Sequence, residues 1–229
     1  MTAEAAFHPS FYVLMALLGL VALLACVIWS IRRHRDPRLQ IECGSPIEEL
    51  VPSLAGLSLS TPVDGNRVDV LENGHFYDVL LERIAQANHS VHFETFLWKE
   101  GELGRRVAAA PAGRAGAGKQ VRVLLGATGS RAMGKAAQEQ LRAAGCKLRF
   151  YHKRTFRNIG VINDRDHRKL VVIDGREAYV GGHCIVDSWL GNAEDGEHFG
   201  DVSVRLEGPI VHSVQAAFSE NWAGETGEL

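Results

Sequence analysis

A histidine and a lysine two residues apart lie near the start of DHRKLVVIDGREAYVGGHC, which runs from Asp166 to Cys184. Side chains two apart in a β-strand project from the same face, so His167 and Lys169 are expected to project together. Imidazole can attack phosphorus near neutral pH, where it titrates. A lysine beside it supplies a compact positive charge for phosphate oxygens. The pair therefore predicts phosphoryl chemistry.

The residues that follow predict a β-hairpin that would carry this pair. The Asp-Gly step at Asp174 is a strong turn signal between two β-rich runs. Asp174 is expected to accept hydrogen bonds that fix the hairpin and hold the lysine side of the site. Gly181 and Gly182 remove side chains where a phosphate would approach backbone N–H groups. The alternative is an ordinary hairpin with an exposed histidine, but the fixed offsets of both elements favour a phosphate-handling motif.

Stretches with strand and helix patterns alternate around the hairpin and must position it. Alternation of apolar and polar residues predicts strands at 67–71, 90–98, 120–125, 147–151 and 201–206. Helical patterns cover 74–89, 102–110, 131–144 and 208–222, and Pro111 is expected to end the second of these helices. This order predicts an α/β fold in which helices flank a mixed β-sheet.

An uncharged run of 21 residues, 11–31, follows an N-terminal tail of residues 1–10. As a helix it would extend roughly 31 Å, enough to cross a hydrocarbon core of about 30 Å. A cleaved signal peptide favours a basic start, whereas this tail contains Glu4 and no lysine or arginine. We therefore predict a single transmembrane helix. By the positive-inside rule, the rest of the chain would be cytoplasmic, because four arginines follow the run: Arg32, Arg33, Arg35 and Arg38.

A tether and one domain are predicted after this helix. Residues 32–62 are rich in proline, glycine and serine, which is typical of a linker, and residues 63–229 would form the domain. The composition is that of a globular protein, with 46% apolar residues and a net charge of −2, so no general attraction to nucleic acid is expected. Charge is segregated, however: residues 142–169 contain nine Lys or Arg against two Asp, which could gather a phosphate substrate or be a solvated face.

The four cysteines do not form a Cys-x-x-Cys pair. A disulfide framework is therefore not predicted, and a reducing compartment is the simpler assumption. The four are Cys26, Cys43, Cys146 and Cys184.

The motif and its surroundings resemble the phospholipase D superfamily, and within it the bacterial cardiolipin synthases. The family pattern His-x-Lys-x4-Asp followed by Gly-Gly matches here, and so do the stretches PVDGNRVDVL, ETFLW, ATGS, LEGPIVHSVQAAFSENW and TGE. The resemblance covers residues 60–229. It implies that His167 attacks the phosphorus of a phosphatidyl donor, that Lys169 stabilises the charge, and that no metal or organic cofactor takes part.

The resemblance also implies a substrate, a location and a partner. A cardiolipin synthase moves a phosphatidyl group between two phosphatidylglycerols and releases glycerol, so the partner would be phospholipid in the inner membrane and not nucleic acid. Family members combine two copies of the motif in one site, whereas one copy is present here, and the chain stops about where a second half would begin. A homodimer or a second chain carrying the other motif would complete the site. The alternatives are a phosphodiesterase active as a homodimer and a truncated, non-catalytic half that binds lipid or a partner chain.

Three positions depart from the family pattern. Cys184 replaces an asparagine whose amide would contact phosphate, and a thiol is a poor donor. Gly126 stands where an aspartate is common. Asp201 matches the acidic residue that orients the histidine, although Gly200 replaces the arginine before it.

Other constellations in the sequence support different chemistry less well. GSRAMGKA at 129–136 approaches a P-loop, but Ala136 replaces the Ser or Thr that would bind magnesium. His183, Cys184 and His198 fit no standard zinc spacing. His92 and Glu94 share a strand face, where a buried polar pair is the simpler interpretation and an approach of Glu94 to the site is the alternative. A Gly-x-Ser-x-Gly element for serine lipase chemistry is absent from the sequence.

Overall fold

A computed structural model describes residues 8–33, 44, 46–151 and 165–228. These fall into two units that meet in the sequence at Ser60 and Thr61.

The first unit contains two helices, α1 (Pro9–Arg33) and α2 (Ile47–Ser58). The segment Pro9–Ser30 of α1 is long and apolar enough to cross a membrane, and none of it is buried in the protein. The predicted span 11–31 lies within α1, while Arg35 and Arg38 lie outside the described residues. Part of the predicted tether is helical: α2 continues through Pro52, with Leu59 closing it in the left-handed conformation.

The second unit is built on a seven-stranded mixed sheet, which confirms the predicted α/β class. The strand order is β1-β7-β6-β5-β2-β3-β4. Strands β2, β3 and β4 are parallel, and the other neighbouring pairs are antiparallel. The strands are β1 (Arg67–Glu72), β2 (Ser90–Thr95), β3 (Gln120–Gly126), β4 (Lys147–Tyr151), β5 (Leu170–Ile173), β6 (Glu177–Gly181) and β7 (Val202–Glu207).

Helices cover both faces of the sheet and create two apolar cores. Three helices pack on one face: α3 (His75–Ala85), α4 (Glu102–Gly116) and α5 (Lys135–Ala143). The helix α6 (Ile210–Thr226) packs on the other face through Val211, Phe218 and Trp222. Strand β5 serves both cores because its side chains alternate: Val171 and Ile173 face the first helices, and Leu170 and Val172 face α6.

The prediction that Pro111 ends its helix is wrong. Helix α4 continues to Gly116, and Pro111 is buried within it. A proline costs the helix one backbone hydrogen bond, but burial of Pro111 and Ala112 against the core offsets that loss. The predicted helix 74–89 is shorter than expected and ends at Ala85. The predicted hairpin is confirmed: the Arg176 N–H donates to the Ile173 carbonyl, with positive φ at the two intervening residues.

Candidate active site

The structure brings His167 and Lys169 together just before β5 begins. The Lys169 ammonium lies 3.2 Å from His167 Nδ1 and 2.8 Å from the His167 carbonyl oxygen. Since an ammonium group has no lone pair, it donates and Nδ1 accepts. The His167 side chain is exposed. An exposed imidazole and a cation are thus held in contact within residues 165–169, which we name the catalytic segment after the role predicted for His167.

An aromatic ring supports both residues. The Phe96 ring centroid lies 4.4 Å from that of His167, and Lys169 Nζ lies 5.8 Å from the same centroid. An ammonium within about 6 Å of an aromatic face is attracted by it. Phe96 follows β2 directly, so the end of that strand supports the pair. Phe96 was not among the site residues predicted from the sequence, although Phe96 lies within the ETFLW stretch that resembles the family.

Arg168 points away from this pair and ties the catalytic segment to α6. Its guanidinium donates to the Ala217 carbonyl and to the Glu220 carboxylate, each at 2.8 Å. The segment is therefore anchored on one side while His167 and Lys169 project on the other, as the alternation of side chains along an extended segment requires.

Two surface cavities meet at His167 and Arg168. The larger, with a volume of about 440 Å³, has an apolar floor; the smaller, of about 340 Å³, is bordered by Asp166 and Asn221. The apolar floor of the larger cavity suits aliphatic groups of a ligand whose phosphate lies at His167. It is formed by Leu170, Val180, Val214 and Ala217.

A buried carboxyl cluster lies beneath the catalytic segment. Asn221 Nδ2 donates to Glu94 Oε1 at 2.6 Å, and the Glu94 side chain also interacts with that of Asp166. Burial and then the contact with Asp166 raise the pKa of Glu94 to about 9, against the opposing effect of the Asn221 amide. His92 and Glu94 are both buried, as the simpler interpretation predicted, but they have separate partners, since His92 Nδ1 lies 2.9 Å from Gln215 Oε1. The signal for this cluster in the sequence was an acidic residue inside an apolar strand and another next to the motif histidine.

The two motif glycines are required by β7. A Cβ on Gly181 would lie 2.5 Å from the Ser203 Cα, and a Cβ on Gly182 would lie 2.3 Å from an Asp201 carboxylate oxygen. Their N–H groups donate to backbone carbonyls, of Lys169 at 3.4 Å and of Val202 at 3.3 Å. Close packing of β6 against β7 therefore explains Gly181, whereas Gly182 is confined by the Asp201 side chain, and the role of both glycines in phosphate binding stays a prediction.

Cys184 lies close to the pair but is inaccessible. The side chain is buried, and its Sγ lies 3.6 Å from the Gly182 carbonyl oxygen. Burial raises the pKa of the Cys184 thiol, and the nearby Lys169 charge opposes that shift without reversing it. The thiol is therefore neutral, so it offers a phosphate neither a strong donor nor a nucleophile.

Asp201 does not contact His167. Its carboxylate accepts a hydrogen bond from Trp189 Nε1 at 2.7 Å, and its backbone N–H donates to Asn73 Oδ1 at 3.1 Å. Asp201 thus joins the loop before β7 to the end of β1. The orienting role expected for Asp201 requires a rearrangement of these contacts and stays a prediction.

Asp174 also lies away from the pair, at the hairpin turn. Its carboxylate accepts three backbone N–H groups at 2.7–2.9 Å, those of Asn88, His89 and Ser90. Burial would raise the pKa of Asp174, but these three hydrogen bonds outweigh it and lower the pKa below its usual value. Asp174 fixes the hairpin, as expected, but it holds the start of β2 and not the lysine side of the site.

The residues of the zinc alternative have other partners. His183 lies between the Ser203 hydroxyl at 2.7 Å and the Asn73 carbonyl at 2.9 Å, and His198 pairs with Asp195 at 2.8 Å. In the described part of the chain, no group of three or more His, Cys, Asp or Glu side chains is arranged for a metal ion. The P-loop-like stretch packs against β2, since Ser130 Oγ donates to the Phe96 carbonyl at 3.2 Å.

Sequence comparisons match this chain to one family. Residues 80–222 match the family described as "Cardiolipin synthase, PLD-like domain". The chain is 36% identical over 161 residues to the major cardiolipin synthase ClsA of Bacillus subtilis (strain 168), covering 69% of this chain and 33% of that protein. It is 35% identical over 172 residues to cardiolipin synthase B of Escherichia coli (strain K12), covering 71% and 40%. The chain thus spans between a third and two fifths of these relatives.

Two solved structures have the same fold. Nuc from Salmonella typhimurium, a phospholipase D family member, aligns with a TM-score of 0.53 at 16% identity, covering 70% of this chain and 97% of that chain. NucT from Helicobacter pylori aligns with a TM-score of 0.52 at 11% identity, covering 69% and 96%. At these identities, the comparison establishes the fold alone.

Proposed function

This chain belongs to the cardiolipin synthase, PLD-like domain family, and we propose that it contributes one half of a phosphatidyltransferase site in which His167 is the nucleophile. The observation that carries the proposal is the contact between His167 and Lys169 at the edge of a cavity with an apolar floor. The charged pair suits the phosphate of a phospholipid, and the apolar floor suits its aliphatic part.

The first step would form a phosphohistidine. Lys169 would turn its ammonium group from His167 Nδ1 to the non-bridging phosphate oxygens, so that Nδ1 can carry the ring proton and Nε2 has a free lone pair. His167 Nε2 would then bond to phosphorus while the bond from phosphorus to the departing glycerol oxygen breaks. A general acid would protonate that oxygen, and glycerol would leave.

The second step would transfer the phosphatidyl group. A hydroxyl of a second phosphatidylglycerol would attack phosphorus, lose its proton to the group that had acted as general acid, and restore His167. That acid is not identified among the described residues near His167. We propose that it is supplied by a second copy of this chain or by another chain carrying a second motif, in a site shared between the two chains.

The apolar helix α1 supports the proposal that the substrate is a lipid of the membrane. The segment Pro9–Ser30 would anchor the chain in the bilayer that contains its lipid substrate. We propose a single-pass protein of the inner membrane whose second unit is cytoplasmic, on the basis of the arginines that follow the helix.

The test uses the purified full chain in mixed micelles with phosphatidylglycerol labelled in the phosphate. Cardiolipin and free glycerol are measured by mass spectrometry, and label retained on the protein is measured after an acid-free quench. We expect both products and a labelled protein from the wild type, and neither from His167→Ala. His198→Ala is the matched control, because His198 is a partly exposed histidine paired with Asp195.

A His167→Ala protein that still retains label would contradict the assignment of the nucleophile. Phosphatidic acid formed in place of cardiolipin would favour the second candidate, a phosphodiesterase of the same fold active as a homodimer. A folded wild-type chain without product, which becomes active when mixed with a second-motif chain, would show that the site needs that partner. Absence of product in both cases would favour a non-catalytic half that binds lipid.

A further inference from the structure

Two buried carboxyl oxygens near the catalytic segment have no hydrogen-bond donor among the described residues. They are Glu94 Oε2 and Asp166 Oδ2, and both atoms are fully buried. The two side chains are nevertheless close enough to interact. Two carboxylates have only acceptors to offer each other, but a single proton between them satisfies both oxygens.

The surroundings of this pair favour a retained proton. The residues opposite Glu94 on the neighbouring strands are the apolar Leu124 and Leu170. Among the described residues, the other charged group that acts on Glu94 is Arg168, whose guanidinium donates to the Ala217 carbonyl and to Glu220. Helix α6 contributes Asn221, which donates to Glu94 Oε1. An amide cannot neutralise a second negative charge in this buried space, so one proton must be held there.

The second oxygen of Asp166 holds the backbone of the catalytic segment. Asp166 Oδ1 accepts a hydrogen bond from the Arg168 N–H at 2.9 Å. His167 lies between these two residues and is exposed, while Asp166 is buried. The conformation that presents the His167 imidazole thus depends on a side chain whose other oxygen, Oδ2, is buried and has no donor among the described residues.

We propose that Glu94 is a positioning residue for His167: one proton shared between the Glu94 and Asp166 carboxyl groups fixes the backbone that presents the imidazole. The catalytic meaning of this arrangement rests on the proposed function, whereas the arrangement itself does not. The raised pKa of Glu94, caused first by burial and then by Asp166, is consistent with a carboxyl group that stays protonated at neutral pH.

Three variants separate this role from simple packing. Glu94→Gln is isosteric and always neutral, so its amide can donate to Asp166 while its carbonyl accepts from Asn221. Glu94→Leu keeps the volume but offers no donor, which leaves a buried charge on Asp166. Glu139→Gln removes an exposed carboxylate on α5, which packs on the other face of the sheet from α6, and is the matched control.

The experiment follows the imidazole by NMR in the full chain, labelled with ¹³C and ¹⁵N at histidine and held in detergent micelles. The His167 signals are assigned by their loss in His167→Ala. We expect the wild-type His167 signals to move as pH rises through the titration of Glu94, because two carboxylates then repel each other. In Glu94→Gln this alkaline movement should vanish, while the signals of His198, remote from Glu94, should be the same in both proteins.

Infrared difference spectra between the wild type and Glu94→Gln give a second measurement that does not require catalysis. We expect a protonated carboxyl band at neutral pH in the wild type that is lost in Glu94→Gln. An alkaline movement of His167 that persists in Glu94→Gln, or the absence of that band, would overturn the proposal. So would a folded Glu94→Leu protein with unchanged His167 signals.

Turnover, if the proposed function is correct, should follow the same pattern. Glu94→Gln should keep kcat near the wild-type value and lose the fall in rate at alkaline pH. Glu94→Leu should lower kcat roughly a hundredfold, the effect of a misplacement of about 1 Å. If the wild type has no activity, the NMR and infrared results still decide the positioning role, so the two proposals fail separately.

Discussion

Lys169 and Asp174 lie at opposite ends of β5, with the four residues Leu170–Ile173 between them. At about 3.3 Å per residue, the five steps from Lys169 to Asp174 separate the lysine and the aspartate by roughly 16 Å. The two residues therefore cannot act on one phosphate. The spacing between them measures the length of a strand that connects the catalytic segment to a rigid turn.

Asp174→Ala should destabilise the protein and leave its chemistry intact. The variant removes an acceptor for three backbone N–H groups at the start of β2. We expect the free energy of unfolding to fall by about 2–3 kcal/mol, since hydrogen bonds to charged groups contribute more than neutral ones. Chemical denaturation measures the loss. Phosphohistidine labelling below the melting temperature should be unchanged. A folded variant that does not label would show that Asp174 takes part in the chemistry.

Replacement of the two motif glycines should have unequal effects. Gly181→Ala places a Cβ against the backbone of Ser203, while Gly182→Ala meets only the tip of the Asp201 side chain. We expect both to destabilise by about 1–3 kcal/mol or more through overpacking, with Gly181→Ala the worse. Asp201→Ala should rescue Gly182→Ala in a double-mutant cycle. Additive effects in that cycle would show that the two residues do not collide.

The acid stability of the domain should depend on Glu177. This carboxylate is buried and binds Arg83 at 2.7 Å and Arg205 at 3.0 Å. Burial would raise the pKa of Glu177, but the hydrogen bonds from Arg83, Tyr179 and Arg205 outweigh it, so the pKa lies below its ordinary value of 4.5.

Because the folded-state pKa of Glu177 is the lower one, the unfolded chain binds more protons in acid. The stabilisation is therefore complete above the ordinary value of 4.5 and is lost as pH falls through the folded-state pKa. We expect the Tm of the wild type to fall as pH is lowered below 4.5. The Tm of Glu177→Gln should fall less steeply over the same pH range. Calorimetry at several pH values measures the slopes, and parallel curves would exclude the linkage.

Cys184→Asn should strengthen phosphate binding. An asparagine amide is a better donor than a thiol, and position 184 is close enough to Lys169 for the two to interact. We expect tighter binding of inorganic phosphate and a higher rate of product formation. Isothermal titration calorimetry with phosphate measures the first effect, and Cys184→Ser is the control of smaller volume. If the asparagine variant binds phosphate no better than the wild type, Cys184 does not replace a lost phosphate contact.

Membrane attachment should depend on the apolar character of α1. Arginine near the centre of a transmembrane helix costs about 2.5–3.5 kcal/mol per residue. We therefore expect the double substitution Leu17→Arg and Leu20→Arg to move the chain from the membrane to the soluble fraction after alkaline extraction. Tyr12→Arg is the control, because a charge near the helix end can reach the interface. Equal retention of both proteins would show that α1 does not hold the chain in the bilayer.

The sheet could be predicted from the sequence because its signals are local. Strand β4 coincides with its predicted range at Lys147–Tyr151, and the hairpin follows from one Asp-Gly step. The course of α4 through Pro111 could not be predicted, because it depends on burial against other elements. The helix α2 in the predicted tether was missed for a related reason, since its prolines favoured a linker.

The His167–Lys169 pair of the candidate site could be predicted from the sequence, but the buried side chains that hold the catalytic segment could not. The spacing of His167 and Lys169 was sufficient to predict their contact. The link from His167 through Asp166 to Glu94 joins residues more than seventy positions apart and depends on the β2–β5 register. That pairing brings a lone acid in β2 under the catalytic segment, and nothing in either local stretch specifies it.

Strand β1 pairs with β7, so Arg67 is opposite Glu207 in the register of the sheet. Strand β1 is synthesised first among the seven strands and β7 last, so β1 has no partner in the sheet until β7 has emerged from the ribosome. Closure of so long a loop delays folding, and during synthesis the edges of β1 and β6 are open to pairing with other chains. Slow translation between the two strands should thus increase aggregation, and chaperone capture of the nascent chain should decline only once β7 is exposed.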